Sequence, residues 1–389
     1  MTSHPPLDTA TDSEPTSKRT IPQVMPWLAA EEEEAVAAVM RSGWLTEGQV
    51  TRAFGERLNQ LTGAPYGVFA PNGTLALALG LLALGIGAGD EVLVPDSTFI
   101  GSATAVLLVG AHPVFIDVRE ESFQFDVEAA RARLSPKTRA LMPVHLFGSP
   151  CDMREVCKFA SEHGLRVIED AAQGIAVHFD GRHVGAIGDV GCFSFFADKT
   201  ITTGEGGYVT CQDPEIYERL CYLRNQGRID RGSFVHPAIG FNFRITDLQA
   251  AIGMAQLDRL DTIVARKRAV YGRYVDQLNT LPQVRFLKSH PLGDHVPFRV
   301  VLLVERSQEL MAWLADRGVQ IRSFFHPLHS QPCFAGHPDA HRMFPVADRG
   351  YADGICLPVH PTLADDEVDY ICERIHEFYR RVPGSGVSC

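Results

Sequence analysis

Short apolar runs alternate with segments of helical periodicity through the first half of the chain. In the segment 152–163, for example, Met153, Val156, Cys157 and Ala160 fall on one helical face. The apolar runs predicted to form strands are 66–70, 91–95, 113–118, 139–146 and 166–170. The segments predicted to form helices are 31–40, 46–61, 74–84, 100–109, 126–134 and 152–163. Because strands and helices alternate, the pattern predicts an α/β fold with a largely parallel sheet.

This alternation fades after Tyr208, where longer helical segments begin. The elements predicted there are helices at 214–225 and 246–278, a strand at 298–304, and helices at 309–317 and 365–379. A long helix followed by mixed elements indicates a change of domain, which we place between residues 255 and 280. The expected organisation is a flexible N-terminal tail over 1–20, a large domain over 21–260 and a smaller α+β C-terminal domain over 261–389.

Composition and charge argue against several classes of protein. The chain has 389 residues, 45% of them hydrophobic, which is enough for more than one typical domain core. A formal net charge of −11 argues against nucleic acid or an anionic membrane surface as the main partner. The nine cysteines form no C-x-x-C pair. The polar N-terminal segment predicts no signal peptide. No run approaches the roughly 20 apolar residues of a membrane span. We therefore expect a cytoplasmic enzyme with reduced thiols.

A lysine at position 199 lies inside an apolar and glycine-rich segment, 191–207. Lysine is rare in such surroundings, and a desolvated lysine amine has a lowered pKa that lets it form a Schiff base. The glycines let the backbone pack closely around a bulky planar ligand. The alternative is a lysine at a strand end whose side chain extends toward water.

Two acidic residues, Glu169 and Asp170, end the strand predicted at 166–170. Ligands of α/β proteins bind at the carboxyl ends of the strands, so Asp170 is a candidate ligand-binding residue. The alternative is an aspartate that caps the next helix.

Residues after two other strands extend this candidate site. Gly73 and Thr74 open a helix after the strand 66–70, and a helix start offers N–H groups and a hydroxyl to a phosphate. Phe99 follows the strand 91–95 and could stack on a planar ligand. Each has a simpler explanation, which is a helix cap for Gly73 and Thr74 and core packing for Phe99.

Taken in order, these motifs resemble the DegT/DnrJ/EryC1/StrS sugar aminotransferase family, which belongs to the fold-type I pyridoxal-phosphate (PLP) enzymes. The resemblance extends from about Met25 to Tyr379. The segments that carry it are 42–46, 72–74, 143–148, 169–173, 191–207 and 240–244. It implies a large domain with a mostly parallel mixed sheet between helices, followed by a smaller α+β domain.

The resemblance assigns roles around the cofactor ring. Lys199 would form the Schiff base with PLP and then move a proton during the transfer. Asp170 would pair with the pyridine nitrogen and keep it protonated. Gln173 would contact the 3′ oxygen of the ring, and Phe99 would stack on its face.

It also assigns roles around the cofactor phosphate. Gly73, Thr74 and Ser194 would hold the phosphate within one subunit. Asn242 would reach the phosphate of the neighbouring subunit, which implies a homodimer with shared active sites. The alternative is that Asn242 caps the helix that starts near Thr246.

The substrates are implied in the same way. L-glutamate would donate the amino group to a keto-sugar nucleotide, at C4 of a 4-keto-6-deoxyhexose such as GDP-4-keto-6-deoxymannose. Thr46, His326 and His329 are candidate substrate contacts, although His329 is equally well explained as a solvated loop histidine. The loop 232–237 is expected to line the same site. The histidines lack the ligand set of a metal site, so no metal is expected.

Two alternatives to this function remain open. One is a PLP-dependent sugar 3-dehydratase or 3-aminotransferase of the same family. The best-known dehydratases of the family have His at the position that Lys199 occupies in this chain, so Lys199 disfavours a dehydratase. The other is a non-catalytic regulatory protein with the PLP fold. Such a protein would not need the set formed by Lys199, Asp170 and Gln173.

Overall fold

The computed structural model describes residues 20–228 and 234–381. The tail predicted over 1–20 lies outside that part of the chain, except for Thr20. The helices are α1 (Ala30–Ser42), α2 (Gln49–Thr62), α3 (Gly73–Ala83), α4 (Gly101–Leu108), α5 (Val127–Arg131), α6 (Met153–His163), α7 (Pro214–Arg224), α8 (Asp247–Asp258), α9 (Leu260–Leu278), α10 (Ser307–Ala315), α11 (Pro345–Asp353) and α12 (Asp365–Arg381). The strands are β1 (Tyr66–Ala70), β2 (Glu91–Pro95), β3 (His112–Ile116), β4 (Thr138–Leu141), β5 (Arg166–Asp170), β6 (His178–Phe179), β7 (Arg182–His183), β8 (Val190–Ser194), β9 (Gly207–Cys211), β10 (Val284–Phe286), β11 (Gly293–Asp294), β12 (Val300–Val304), β13 (Arg322–Ser323) and β14 (Gly354–Leu357).

The central sheet has seven strands in the order β1-β9-β8-β5-β4-β2-β3. The five strands from β8 to β3 are parallel, whereas β9 is antiparallel to both of its neighbours, β8 and β1. The predicted α/β fold with a mostly parallel mixed sheet is therefore confirmed. The carboxyl ends of β1, β2, β5 and β8 lie at one edge of the sheet, and the predicted site residues follow these ends.

Two strands of this sheet, β8 and β9, were not among the predicted strands. Both are fully buried, and they pair in register from Val190 with Cys211 to Ser194 with Gly207. Small residues such as Gly191 and Ser194 weaken the apolar signal of this run, so its sequence resembles a loop. The segment predicted as a strand at 139–146 is also shorter than expected, because β4 ends at Leu141.

The helix predicted over 246–278 is two helices, α8 and α9, that meet at Arg259. The backbone of Arg259 has φ −107° and ψ 6°, which is outside the helical range. Its guanidinium donates to the carbonyl of Trp27 at 3.1 Å and also contacts Glu32. The apolar periodicity continues across this break, which explains why the sequence indicated one helix.

The C-terminal part of the chain builds a second sheet with its own core. Its four strands are antiparallel in the order β10-β12-β14-β13, and α9, α10 and α12 supply buried residues to the same cluster. Ile21 joins this core from the other end of the chain. The domain boundary placed between residues 260 and 261 stays a prediction. In the described part of the chain, no helix combines the length and apolar character needed to cross a bilayer.

Candidate active site

A cavity of about 590 Å³ lies at the carboxyl edge of the central sheet, and Lys199 is on its wall. Lys199 belongs to the loop between β8 and β9, and 15% of its side chain is exposed. Its Nζ atom lies 4.6 Å from the centre of the Phe298 ring and 3.9 Å from Oδ1 of Asp198. Burial lowers the pKa of the Lys199 amine, although the carboxylates of Asp198 and Asp170 oppose this effect. The amine is therefore closer to its uncharged, nucleophilic form than an exposed lysine is.

Asp170 ends β5 and lines the same cavity. The Ser102 hydroxyl donates to Oδ2 at 2.7 Å, and the Ala172 N–H donates to Oδ1 at 3.1 Å. Burial raises the pKa of the carboxyl group, while the hydrogen bond from Ser102 acts in the opposite direction. The next element after β5 is β6, so the interpretation of Asp170 as a helix cap is wrong. Its carboxylate is placed to receive a cationic group of a ligand.

The start of α3 and the end of β8 form a cradle on another wall of the cavity. Asn72 is the N-cap of α3, and its Oδ1 accepts from the Leu75 N–H at 2.9 Å. Gly73 and Thr74 are the first helical residues, whose N–H groups have no partner within a helix. A Cβ atom on Gly73 would lie 2.8 Å from Cβ of Ser194, so glycine is what permits this close approach. The helix start and the Ser194 hydroxyl together suit a phosphate.

Phe99 and Gln173 also line this cavity. Phe99 is 58% exposed, with its ring 6.3 Å from that of Phe325, so it does not belong to the core. Gln173 is buried, and its Oε1 accepts from the Phe147 N–H at 2.6 Å. With Oε1 occupied, the side-chain NH₂ group of Gln173 is the part that can donate to a ligand.

Thr46 and Asn242 lie together in a different cavity of about 370 Å³, and the structure does not bring them to Lys199. The cap of α8 is Thr246, whose hydroxyl accepts from a backbone N–H of the first helical turn at 3.2 Å. The interpretation of Asn242 as a helix cap is therefore wrong. Of the loop predicted at 232–237, residues 232 and 233 lie outside the described residues, and Phe234 is 86% exposed.

His326 and His329 line neither of these two cavities. His329 is buried, and its Nδ1 lies 2.7 Å from Oδ2 of Asp96. Its backbone N–H donates to the other oxygen of the same carboxyl group at 2.7 Å. The interpretation of His329 as a solvated histidine is therefore wrong. His326 packs on Tyr351 with ring centres 4.6 Å apart. A substrate contact by either histidine stays a prediction.

Among the polar residues of the main cavity that were not found from the sequence are Ser102, Arg299 and Arg322. Ser102 had a usable signal, because it is a small polar residue at the start of a helix that follows a strand end. Arg299 and Arg322 had none, because they come from the C-terminal part of the chain, whose packing against the cavity is a tertiary property.

The donor set of the main cavity fits PLP. Lys199 supplies an amine for the aldehyde, and Asp170 a buried carboxylate for the pyridine nitrogen. The cradle of Gly73, Thr74 and Ser194 suits the phosphate. Aromatic and amide groups line the space between these ends. These groups come from four different strand ends, and their chemistry matches the three polar regions of the cofactor.

Comparisons with known proteins support PLP as the cofactor. The model of the DegT/DnrJ/EryC1/StrS aminotransferase family matches residues 26–376. GDP-perosamine synthase from Escherichia coli O157:H7 is 38% identical over 363 residues, which cover 92% of this chain and 98% of the relative. The structure of DesV from S. venezuelae, solved with a ketimine intermediate, matches with a TM-score of 0.87 and 34% identity, covering 91% of this chain and 95% of DesV. Spr1654 from Streptococcus pneumoniae, solved in a PLP form, matches with a TM-score of 0.89 and 27% identity, covering 93% and 99% of the two chains.

Proposed function

Because the chain belongs to the DegT/DnrJ/EryC1/StrS aminotransferase family and is therefore a PLP-dependent sugar aminotransferase, we propose that it moves the amino group of L-glutamate to C4 of a 4-keto-6-deoxyhexose nucleotide such as GDP-4-keto-6-deoxymannose. The observation that carries the proposal is the shared cavity of Lys199 and Asp170, with a phosphate cradle on its wall. The choice of sugar and carbon rests on the likeness to GDP-perosamine synthases from three bacteria.

Five residues of the cavity have a proposed task. When bound, PLP supplies an electron sink for the carbon that gains or loses the amino group. Lys199 would hold the cofactor through its Nζ, and the same Nζ would move a proton at the reacting carbon. Asp170 keeps the ring nitrogen protonated, with Ser102 fixing the orientation of its carboxyl group. Gln173 donates to the oxygen on the ring, and Phe99 covers one ring face.

The second cavity supports a proposal about the nucleotide and the partner subunit. Arg228 and Arg244 line it beside Trp44, which is 58% exposed. Cations next to an exposed aromatic ring suit a nucleotide with its diphosphate. Thr46 lies in the same cavity as a further substrate contact.

A homodimer is part of the proposal because Asn242 lines the second cavity and not the cavity that contains Lys199. The segment before Asn242 exposes apolar side chains, namely Phe234 at 86% and Ile239 at 88%. Exposed apolar groups of this size favour burial against a partner. In a dimer, Asn242 would reach the phosphate cradle of the other subunit.

The eight cysteines that the structure describes are all unpaired, which favours a reducing, cytoplasmic location.

The test is a panel of keto-sugar nucleotides incubated with L-glutamate, with 2-oxoglutarate followed by mass spectrometry. The panel contains 4-keto-6-deoxy and 3-keto sugars on GDP, UDP and dTDP. We expect the highest kcat/KM with GDP-4-keto-6-deoxymannose and no turnover by Lys199→Ala. A preference for a 3-keto sugar would contradict the carbon assigned here, and release of a sugar hydroxyl without amination would identify a dehydratase.

A further inference from the structure

A small cavity of about 30 Å³ adjoins Lys199 and shares several residues with the main cavity. The shared residues are Asp198, Lys199, Phe298 and Arg299. Lys267 from α9 lines only the smaller cavity. The smaller cavity therefore lies between the loop that carries Lys199, here called the lysine loop, and the C-terminal part of the chain. Its lining contains three cationic side chains, Lys199, Lys267 and Arg299, and one carboxylate, Asp198.

Asp198 lies between two of these cations. Its Oδ2 accepts from Nη2 of Arg299 at 2.9 Å, and its Oδ1 faces Nζ of Lys199 at 3.9 Å. The exposed fractions of the Asp198 and Arg299 side chains are 13% and 8%, so water screens this pair weakly. The guanidinium of Arg299 and Nζ of Lys199 lie 4.8 and 4.6 Å from the centre of the same ring, Phe298. Asp198 therefore couples the position of Lys199 to that of Arg299.

Lys267 adds a buried cation without adding a carboxylate. Its side chain is 3% exposed, and burial lowers its pKa to about 8. Within residues 20–228 and 234–381, it makes no hydrogen bond or ion pair. Lys267 is therefore a second cation beside Asp198, while the Lys199 amine itself is influenced by the carboxylates of Asp198 and Asp170 and by the guanidinium of Arg299.

We propose that Asp198 and Arg299 are positioning residues for Lys199: the ion pair fixes the lysine loop against the start of β12, and its balance of charge decides how readily the Lys199 nitrogen holds a proton. This inference rests on the proposed role of Lys199. Neither Asp198 nor Arg299 needs to touch the sugar for this role, because each acts through the lysine loop.

The two members of the pair act with opposite signs. The Asp198 carboxylate stabilises a protonated Lys199 nitrogen, whereas Arg299 neutralises that carboxylate and repels the proton. The same signs hold for the nitrogen once it is bonded to PLP, because Asp198 and Arg299 keep their charges beside it. The other charged or titratable groups that line the two cavities with Lys199 are Asp170, Glu205, Lys267, Arg322 and His360.

The test is a spectrophotometric pH titration of the holoenzyme, in which the visible absorption band reports protonation of the nitrogen that links Lys199 to PLP. Asp198→Asn should lower the titration midpoint by about one pH unit or more, because an opposed charge within this distance shifts a pKa by roughly 1–3 units. Arg299→Met should raise it, since Asp198 is then no longer neutralised. Arg299→Lys keeps the charge and should return the midpoint towards the wild-type value.

Arg268→Met is the matched control, because it removes an arginine from an exposed pair with Asp294 and should leave the midpoint unchanged. If Arg299→Met does not fold, Asp198→Asn and Arg299→Lys still decide the question. A midpoint that stays at the wild-type value in folded Asp198→Asn overturns the inference while leaving the proposed function intact. If the wild-type protein shows no visible band, the proposed function fails, and this inference fails with it.

Discussion

Nε2 of His145 lies 3.0 Å from Oε2 of Glu169, the residue that precedes Asp170, and both side chains are completely buried. Nδ1 of His145 accepts from the Cys151 N–H at 3.1 Å, so Nε2 carries the proton and donates to Glu169. The backbone N–H of His145 donates to the carbonyl of Asp170 at 3.0 Å. The pair therefore holds in place the strand end that carries Asp170 at the wall of the main cavity.

The first prediction concerns Glu169, whose carboxylate accepts hydrogen bonds from four donors. Oε1 accepts two backbone N–H groups of the turn 185–188, and Oε2 accepts a third together with His145. In Glu169→Gln, the amide NH₂ group would face donors, so we expect a loss of about 2–4 kcal/mol of stability by denaturant unfolding. Glu162→Gln, at an exposed position, is the control.

The pH dependence of this effect has a definite sign. Burial raises the pKa of Glu169, but the hydrogen bonds from His145 and the backbone outweigh it and place the pKa below the ordinary 4.5. The stabilisation is thus fully present above about pH 4.5 and is lost as the pH falls through the folded-state pKa. The difference between wild type and Glu169→Gln should shrink in acid. An equal unfolding midpoint for both proteins at pH 7 would rule out this role.

The second prediction concerns Asp170. Asp170→Asn keeps the size of the side chain but removes the charge that we propose holds the proton on the cofactor ring. We expect kcat to fall by about 10²-fold or more, as on loss of a strong electrostatic contact in an active site. Steady-state kinetics with a saturating amino donor measures this, and unchanged thermal unfolding would show that the fold is intact. A decrease of less than about threefold would mean that Asp170 does not face the ring nitrogen.

The residues that the sequence located are those that follow strand ends. The sequence alone predicts that Asp170, Lys199 and Gly73 lie close together, because parallel strands share one carboxyl edge. Arg299 could not, because β12 belongs to another sheet and only tertiary packing brings it to Asp198. His145 lay within a segment already linked to the family, but its partner became visible only when β4 and β5 were seen side by side.

The third prediction concerns the buried charge of Lys267. Its pKa of about 8, compared with 10.5 for a free lysine, means that burying the ammonium costs up to about 3 kcal/mol below pH 8. This cost disappears as the pH rises from about 8 to 10.5, because the folded protein then contains the neutral amine. Lys267→Met should therefore be more stable than wild type at pH 7, with a smaller gain at pH 10. Lys158→Met is the exposed control, and a stability loss at pH 7 would contradict the account.

The fourth prediction concerns the shared active site. Lys199→Ala chains and Asn242→Ala chains are mixed under conditions that allow subunit exchange. If Asn242 acts across the dimer, each mixed dimer contains one site with both defects and one site with neither, so near-normal activity should return in that fraction. If exchange is verified by mass spectrometry and no activity with tight PLP binding returns, Asn242 acts within its own chain.

The most direct test of the central claim is to identify the lysine that bonds to PLP. The holoenzyme is reduced with borohydride, digested and mapped by peptide mass spectrometry. The account predicts a single phosphopyridoxyl group, located on Lys199 in the loop between β8 and β9, and its absence from Lys199→Ala. Modification of Lys267, which lines the smaller cavity beside Asp198, or of no lysine at all, would contradict it.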